Sequence, residues 1–382
     1  MQPVELEPLR ARLAELGREP TPADVAAAMR AEGGVVTDAA LLETLESLRR
    51  DSVGAGPLEP LLRLPGVTDV IVNGPREVYV DSGAGLRRTD VGFADDAEVR
   101  RLAQRLAASV GRRLDDASPF VDARLPDGTR VHAVLGTLAD PGTCLSLRIP
   151  ADRTFSLADC VASGGLSEAA AELLTRMVRA RVAFLISGGT GSGKTTLLAA
   201  LLGLVPAEER IVIAEDSREL APRHPHLVRL EGRPANAEGV GAVTLTDLVR
   251  QALRMRPDRL VVGEVRGAEV CDLLAALNTG HEGGCGTVHA NAATQVPARL
   301  EALAALGGMS RRALHAQLAA ALELVVHQVR DRSGRRRIAE IATLTQDPDT
   351  GRVVAEPALV FDPDGRMERG PAVGRLERLL AR

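Results

Sequence analysis

Val182-Ala183-Phe184-Leu185-Ile186-Ser187-Gly188-Gly189-Thr190-Gly191-Ser192-Gly193-Lys194-Thr195-Thr196-Leu197-Leu198-Ala199-Ala200-Leu201-Leu202 is the stretch on which the reading of this chain turns. It opens on an apolar, β-rich run, crosses a glycine-rich segment and leaves through residues that favour helix. The middle matches G-x-x-x-x-G-K-[ST]. In that pattern a strand feeds a tight loop whose N–H groups, together with the N-terminus of the next helix, point at phosphate. Lys194 is the only lysine in a chain whose Lys plus Arg total is 47. A compact ammonium fits inside such a loop, where a planar guanidinium is too wide. Gly188, Gly189, Thr190, Gly191, Ser192, Gly193, Lys194, Thr195 and Thr196 are therefore the expected cradle of a nucleoside triphosphate, ATP.

The 382 residues allow two domains with a short N-terminal addition. Aromatic residues are 2% of the chain and Trp is absent, so the cores must be built from Leu, Val, Ile and Ala. A net charge of −4 gives no overall attraction to nucleic acid or anionic membrane. Cys144, Cys160, Cys271 and Cys285 lie far apart without a Cys-x-x-Cys pair. Neither a zinc site nor a disulfide framework is suggested, and reduced buried thiols are expected. The acidic start lacks the pattern of a signal peptide, and no apolar run approaches the ~20 residues of a membrane span. A cytoplasmic chain without a transmembrane segment is the expectation, with any membrane association supplied by partners.

Residues 1–50 read as a helical segment, on the spacing of apolar positions around 41–48. Residues 51–149 read as an α+β domain: a strand at 67–73, a turn at Asn73-Gly74-Pro75, a return at 77–80, a helix over 96–110 and strands between 123 and 149. Residues 150–158 read as a linker. Over 159–382 helices alternate with short apolar strands, which argues a mainly parallel sheet with crossover helices. The fold class is α/β, with a C-terminal P-loop domain and a smaller N-terminal α+β domain.

Triphosphate hydrolysis also needs a metal carboxylate, a group that orients water and positive charge for the transition state. Such groups belong at the carboxyl ends of neighbouring strands. Three strands downstream of the loop end suitably: Ile211-Val212-Ile213-Ala214 in Glu215-Asp216, Leu260-Val261-Val262 in Gly263-Glu264-Val265-Arg266, and Gly286-Thr287-Val288 in His289-Ala290-Asn291. Glu264 fits the carboxylate that holds Mg²⁺, directly or through water, with the Thr195 hydroxyl as a second ligand. Glu215 fits the residue that polarises the attacking water, and His289 a contact to the γ-phosphate. The basic run Arg330, Arg332, Arg335, Arg336 and Arg337 reads as a solvated hairpin turn.

These segments, with Met255-Arg256-Pro257-Asp258-Arg259 before the second and Thr279-Gly280-His281-Glu282-Gly283-Gly284-Cys285 before the third, resemble the Asp box, Walker B and His box of the type II/IV secretion and type IV pilus ATPases. Gly111-Arg112-Arg113-Leu114-Asp115 and Ser118-Pro119-Phe120-Val121-Asp122-Ala123-Arg124-Leu125-Pro126-Asp127-Gly128-Thr129-Arg130-Val131 are similar to the CpaF/TadA branch, which powers Flp (tight-adherence) pili. The resemblance covers about residues 50–345. It implies a RecA-like ATPase domain, and Arg124 and Arg130 closing over the phosphates from the N-terminal domain. It also implies a ring-shaped homo-hexamer on the cytoplasmic face, acting on a polytopic inner-membrane platform protein. Arg148 and Arg266 are further candidates for the arginine cluster or a subunit contact. The absence of a tetracysteine zinc module speaks against the type II secretion and pilus-extension members.

The function expected from the sequence is a motor that couples Mg-ATP hydrolysis to pilus assembly or protein secretion. The alternative is a conjugation-associated, DNA-transfer translocase. Net charge, scarce aromatics and the lack of an extended basic face argue against direct nucleic-acid binding. A non-hydrolysing scaffold is disfavoured by the presence of Glu215, Glu264 and His289 together.

Overall fold

Alternate residues of β1 (Asp69–Asn73), β5 (Arg130–Val134) and β6 (Cys144–Arg148) are buried, as expected of strands that cover a core with one face. In the computed structural model they join β2 (Val78–Asp81), β3 (Leu86–Arg88) and β4 (Phe120–Arg124) in a six-stranded sheet of order β3-β2-β1-β6-β5-β4. The structure describes residues 12–13, 21–31, 37, 40–41, 44, 54–83, 85–150, 155–235, 239–331 and 333–382. They fall into two compact units divided between Ala151 and Asp152.

In the first unit a helix, α2 (Asp96–Ala108), follows the short α1 (Pro22–Ala31). Asp95 caps α2 by accepting from the Glu98 N–H. Its Val99, Leu102 and Leu106 pack with Val70, Val131, Ala133, Leu145 and Leu147. Of the helical reading at 41–48, only Leu41 and Thr44 are among the described residues.

The second unit begins with α3 (Leu157–Ala162) and α4 (Glu168–Arg179). The expected linker lies outside the described residues at 151–154, and Leu157 and Ala158 already belong to α3. The sheet then takes β7 (Phe184–Gly188), β8 (Ile211–Glu215), β9 (Leu227–Glu231), β10 (Arg259–Val265), β11 (Cys285–His289) and β12 (Leu324–Arg330). Crossovers run through α5 (Lys194–Leu202), α6 (Leu245–Leu253), α7 (Glu269–Leu277), α8 (Val296–Leu306) and α9 (Arg311–Ala321). Order β12-β7-β11-β10-β8-β9 is parallel throughout. Two apolar cores cover its faces, one holding Leu174, Ile186 and Leu197, the other Leu185, Leu248, Leu274 and Leu314. β7 and β8 are buried along their whole length, as continuous apolar strands between two helical layers must be.

Beyond β12 the expected alternation stops. β13 (Arg336–Gln346), β14 (Val353–Phe361) and β15 (Met367–Arg369) extend the sheet antiparallel, before α10 (Val373–Leu379) closes the fold. The four cysteines are free, but only Cys285 is buried, where loss of hydration pushes its thiol up to about 12. The expectation of buried thiols therefore fails for Cys144, Cys160 and Cys271, which lie at half-covered positions. Among the described residues no helix is long and apolar enough to cross a membrane.

Candidate nucleotide site

The loop between β7 and α5 is held open by glycine where its backbone must turn. Gly188, Gly191 and Gly193 all have left-handed φ, of 156°, 71° and 93°. Gly193 caps α5, so the helix starts at Lys194 and its free N–H groups face the loop. Gly189 is half-exposed, and Thr190 and Gly191 form an exposed crest. The Lys194 side chain runs back beneath it, only 7% exposed, and Nζ donates to the carbonyl oxygens of Gly188 at 3.0 Å and Gly189 at 2.8 Å. Burial holds the ammonium pKa below the usual lysine range, while the nearby Glu264 carboxylate pulls it back up. Thr195 and Thr196 occupy the first turn of α5, Thr195 half-buried and Thr196 exposed.

The three expected strand ends lie on the consecutive strands β11, β10 and β8, of which β11 adjoins the loop strand β7. β11 lies against β7 in a register that pairs His289 with Gly188. β10 flanks β11 with an irregularity between Val262 and Val265, where one extra residue is inserted. A bulge of this kind re-aims a side chain, and here Glu264 Oε1 comes within 2.6 Å of His289 Nε2. Thr287 ties the bulge down by donating its hydroxyl to the Gly263 carbonyl at 2.6 Å.

Glu215 ends β8 at 4% exposure. Its Oε1 accepts the N–H groups of Glu219 at 3.0 Å and Leu220 at 2.9 Å. Its Oε2 is buried without a hydrogen-bond partner. Burial raises the carboxyl pKa above the ordinary glutamate value, against the lowering effect of the two N–H bonds. The side chain lies flat on Gly263, where an added Cβ would stand 2.5 Å from Glu215 Cγ and 3.0 Å from Oε1. Gly263 is absent from the left-handed glycines. It is a glycine because the glutamate carboxyl occupies the space a side chain would need.

Arg124 and Arg130 belong to the first unit, where they stand opposite each other across β4 and β5, and Arg148 stands opposite Arg130 on β6. Three arginines thus share one cross-strand row, and Asp69 on β1 stands opposite Arg148 at its end. Arg266 pairs instead with Asp216 at 2.5 Å, 59% exposed, next to the Glu215 strand end.

Sequence reasoning missed the residues on the far side of the loop. β12 lies against β7 with His327 opposite Ser187, and the buried His327 Nδ1 is 2.9 Å from Ser187 Oγ. Burial lowers the imidazole pKa; a hydrogen bond that the ring donates to the Asn291 main-chain carbonyl opposes this and the Lys194 charge reinforces it. The Gln328 carbonyl oxygen presses on Gly188 so closely that a Cβ there would collide with it. The basic run does form a hairpin, with Asp331 N–H donating to the Arg335 carbonyl at 2.9 Å, and Arg332 lies outside the described residues. It is not simply solvated, however. Arg336 Nε donates to the Gly191 carbonyl at 3.1 Å. The one signal in sequence was the lone His327 at the end of an apolar run.

Three comparisons bear on this arrangement. The family model described as type II/IV secretion system protein matches residues 51–351. A putative conjugal transfer protein of Mycobacterium tuberculosis (strain ATCC 25618 / H37Rv) is 60% identical over 324 residues, covering 83% of this chain and 92% of that protein. The type IV secretion system protein PtlH homolog of Bordetella bronchiseptica is 33% identical over 315 residues, covering 74% of this chain and 92% of that one. Among solved structures, the ATPase DotB of Yersinia pseudotuberculosis superposes with a TM-score of 0.54 at 18% identity, over 82% of this chain and 81% of that one, a likeness of fold. With Glu215, Glu264 and His289 at the ends of adjoining strands in the sheet that carries the glycine loop, and a family match spanning most of its length, the chain belongs to the type II/IV secretion ATPase family.

Proposed function

We propose that the chain hydrolyses Mg-ATP and that the cycle drives a secretion or pilus-assembly machine. The observation that carries the catalytic part is Glu215. Its carboxyl is clamped through one oxygen by two backbone N–H groups, while the other oxygen is buried without a partner. A carboxylate so placed, with a pKa raised by burial, is a better proton acceptor than an exposed one. Lys194 and the loop N–H groups hold the β- and γ-phosphates. The donor set suits Mg²⁺: one hydroxyl, Thr195, and one carboxylate, Glu264, match a cation that takes few protein ligands and completes its shell with water and phosphate oxygens. Bound there, Mg²⁺ neutralises phosphate charge. Glu264 is itself oriented by His289 at 2.6 Å, so His289 both positions that carboxylate and borders the γ-phosphate side of the loop.

The row Arg124, Arg130 and Arg148 supplies, in this reading, the positive charge that closes on the phosphates from the N-terminal unit. The planar fork of each guanidinium suits paired bonds to phosphate oxygens. By resemblance to the CpaF/TadA branch, the working form is a cytoplasmic homo-hexamer that pushes on a polytopic membrane platform during Flp pilus assembly.

A second reading has its own support, since the relative at 60% identity is named a putative conjugal transfer protein. In that case the machine served moves DNA. One experiment separates the possibilities. Purified protein is assayed for ATP turnover, and for nucleotide affinity, as wild type, Lys194→Ala and Glu215→Gln, with and without single- or double-stranded DNA. The proposal predicts loss of binding in the first variant and binding without turnover in the second, with turnover unchanged by DNA. Full turnover by Glu215→Gln removes Glu215 from the site, and a several-fold, salt-sensitive stimulation by DNA favours the translocase.

A further inference from the structure

The phosphate loop has an outer wall that neither its motif nor the strand-end carboxylates explain. At Gly188 the wall is the Gln328 main chain, whose carbonyl oxygen occupies the place of a Cβ. At Gly193 it is the side chains of Arg336 and Gln328, whose Cδ and Nε2 lie 2.9 Å and 3.2 Å from where a Cβ would stand. Gln328 Oε1 is buried without a hydrogen-bond partner. Between the two glycines, Arg336 Nε donates to the Gly191 carbonyl at 3.1 Å. Arg330, paired with Arg336 across the hairpin, comes within 3.9 Å of the same glycine's Cβ position.

This contact has a directional consequence. In a trans peptide the carbonyl and the following N–H point to opposite sides. Fixing the Gly191 carbonyl toward the hairpin therefore aims the Ser192 N–H inward, where it now makes only a long bond of 3.4 Å to the Gly189 carbonyl. On its exposed crest and at a φ of 71°, Gly191 has no Cβ to restrict the ψ change on its side of such a flip, so its own backbone does not hold the carbonyl outward. A loop that must present inward N–H groups to an anion needs something to stop the flip.

We infer that Arg336 is a positioning residue for nucleotide binding: from the β12–β13 hairpin it holds the Gly191 carbonyl on the outer side of the phosphate loop and so keeps the Ser192 N–H aimed at the phosphates. Arginine serves because Nε is a fixed donor in the middle of the side chain, while its charge adds to the positive field at the loop. The inference rests on the ATPase reading above and deepens it.

The test uses the full chain with ADP and ATP as probes. Arg336→Met keeps the aliphatic stem and removes the donor; Arg336→Gln keeps a donor and removes the charge. Arg336 is exposed, so neither change is expected to alter the melting temperature of the protein alone. Arg336→Met is expected to bind ADP and ATP roughly fivefold more weakly, a change of ~1 kcal/mol, with the turnover number at saturation little changed. Arg336→Gln is expected to recover most of that loss. Wild-type affinity in Arg336→Met overturns the inference. So does a Gln variant as weak as the Met one, because charge and not the hydrogen bond would then be responsible. If the intact chain binds neither nucleotide, the ATPase reading itself has failed; if it binds both and the Met variant is unaffected, only this inference has.

Discussion

Replacing Gly263 by alanine tests whether the site is built as the geometry implies. The new Cβ would stand 2.5 Å from Glu215 Cγ, 3.0 Å from Oε1 and 3.2 Å from Cδ. Carbon atoms pack at about 3.5–4.0 Å, so the overlap with Cγ is ~1 Å. Glu215 has little freedom to retreat, being 4% exposed and bonded to the N–H groups of Glu219 and Leu220. Overpacking of this sort costs about 1–3 kcal/mol, and each kcal/mol lowers the melting temperature by ~2–4 °C in a domain of this size. Relief requires the carboxyl to move, which moves the oxygen assigned to the water. Turnover is therefore expected to fall while nucleotide affinity stays near wild type, because the Lys194 loop is untouched. The decisive measurement is a double-mutant cycle by chemical denaturation. In a Glu215→Ala background the space is empty, and Gly263→Ala should cost little. A coupling within ~0.5 kcal/mol of zero would refute the argument and return Gly263 to a backbone role, which its φ does not suggest.

Two further outcomes follow from the site. Glu215→Gln removes a buried charge from a carboxyl whose pKa is raised above 4.5. A raised pKa means that the native state is favoured at low pH and loses that advantage as pH rises through the shifted value, so the Gln variant should be more heat-stable than wild type at neutral pH, with the gap closing as the solution approaches pH ~4.5 in thermal melts. Arg124→Ala and Arg130→Ala should cut turnover strongly, since transition-state arginines are worth ~10³ or more, with poor rescue by lysine. A fragment starting near residue 152 should bind nucleotide but hydrolyse it slowly, and full activity in that fragment would exclude the N-terminal unit from the chemistry.

The parts of the molecule that could be read in the sequence are those whose meaning is local. The phosphate loop carries its own geometry in four glycines, one lysine and the flanking strand and helix, and it folds as those residues demand. The strand ends at Glu215, Glu264 and His289 were legible because an apolar run followed by a charged residue needs no knowledge of its neighbours. What was illegible depends on register between distant segments. Arg336 reaches Gly191 only because β12 chooses β7 as its partner, and nothing around residue 336 records that choice. The bulge that turns Glu264 toward His289 is likewise a one-residue mismatch between two strands. The antiparallel extension β13–β15 escaped notice because its strands follow tight turns rather than crossover helices.

The division of labour between lysine and arginine follows the same boundary. Arginine does the long-range work. Arg259 ties Glu209 at 2.6 Å to the Val178 carbonyl at 3.0 Å, Arg266 meets Asp216, and Arg336 fastens the hairpin to the loop. Arg259 uses several donors spread over a rigid fork, which suits bridging elements that approach from different directions. Lys194 has the opposite problem. It lies at 7% exposure inside one tight loop, with a single nitrogen serving two carbonyls of that loop and a carboxylate nearby. A charge there must be small enough to be enclosed and free enough to turn from carbonyl oxygen to phosphate oxygen, which a fixed planar group cannot do. The one place where this chain writes lysine is thus the one place where the cation has to fit within the backbone's own curve, and the hairpin arginine stands outside that curve, holding its shape.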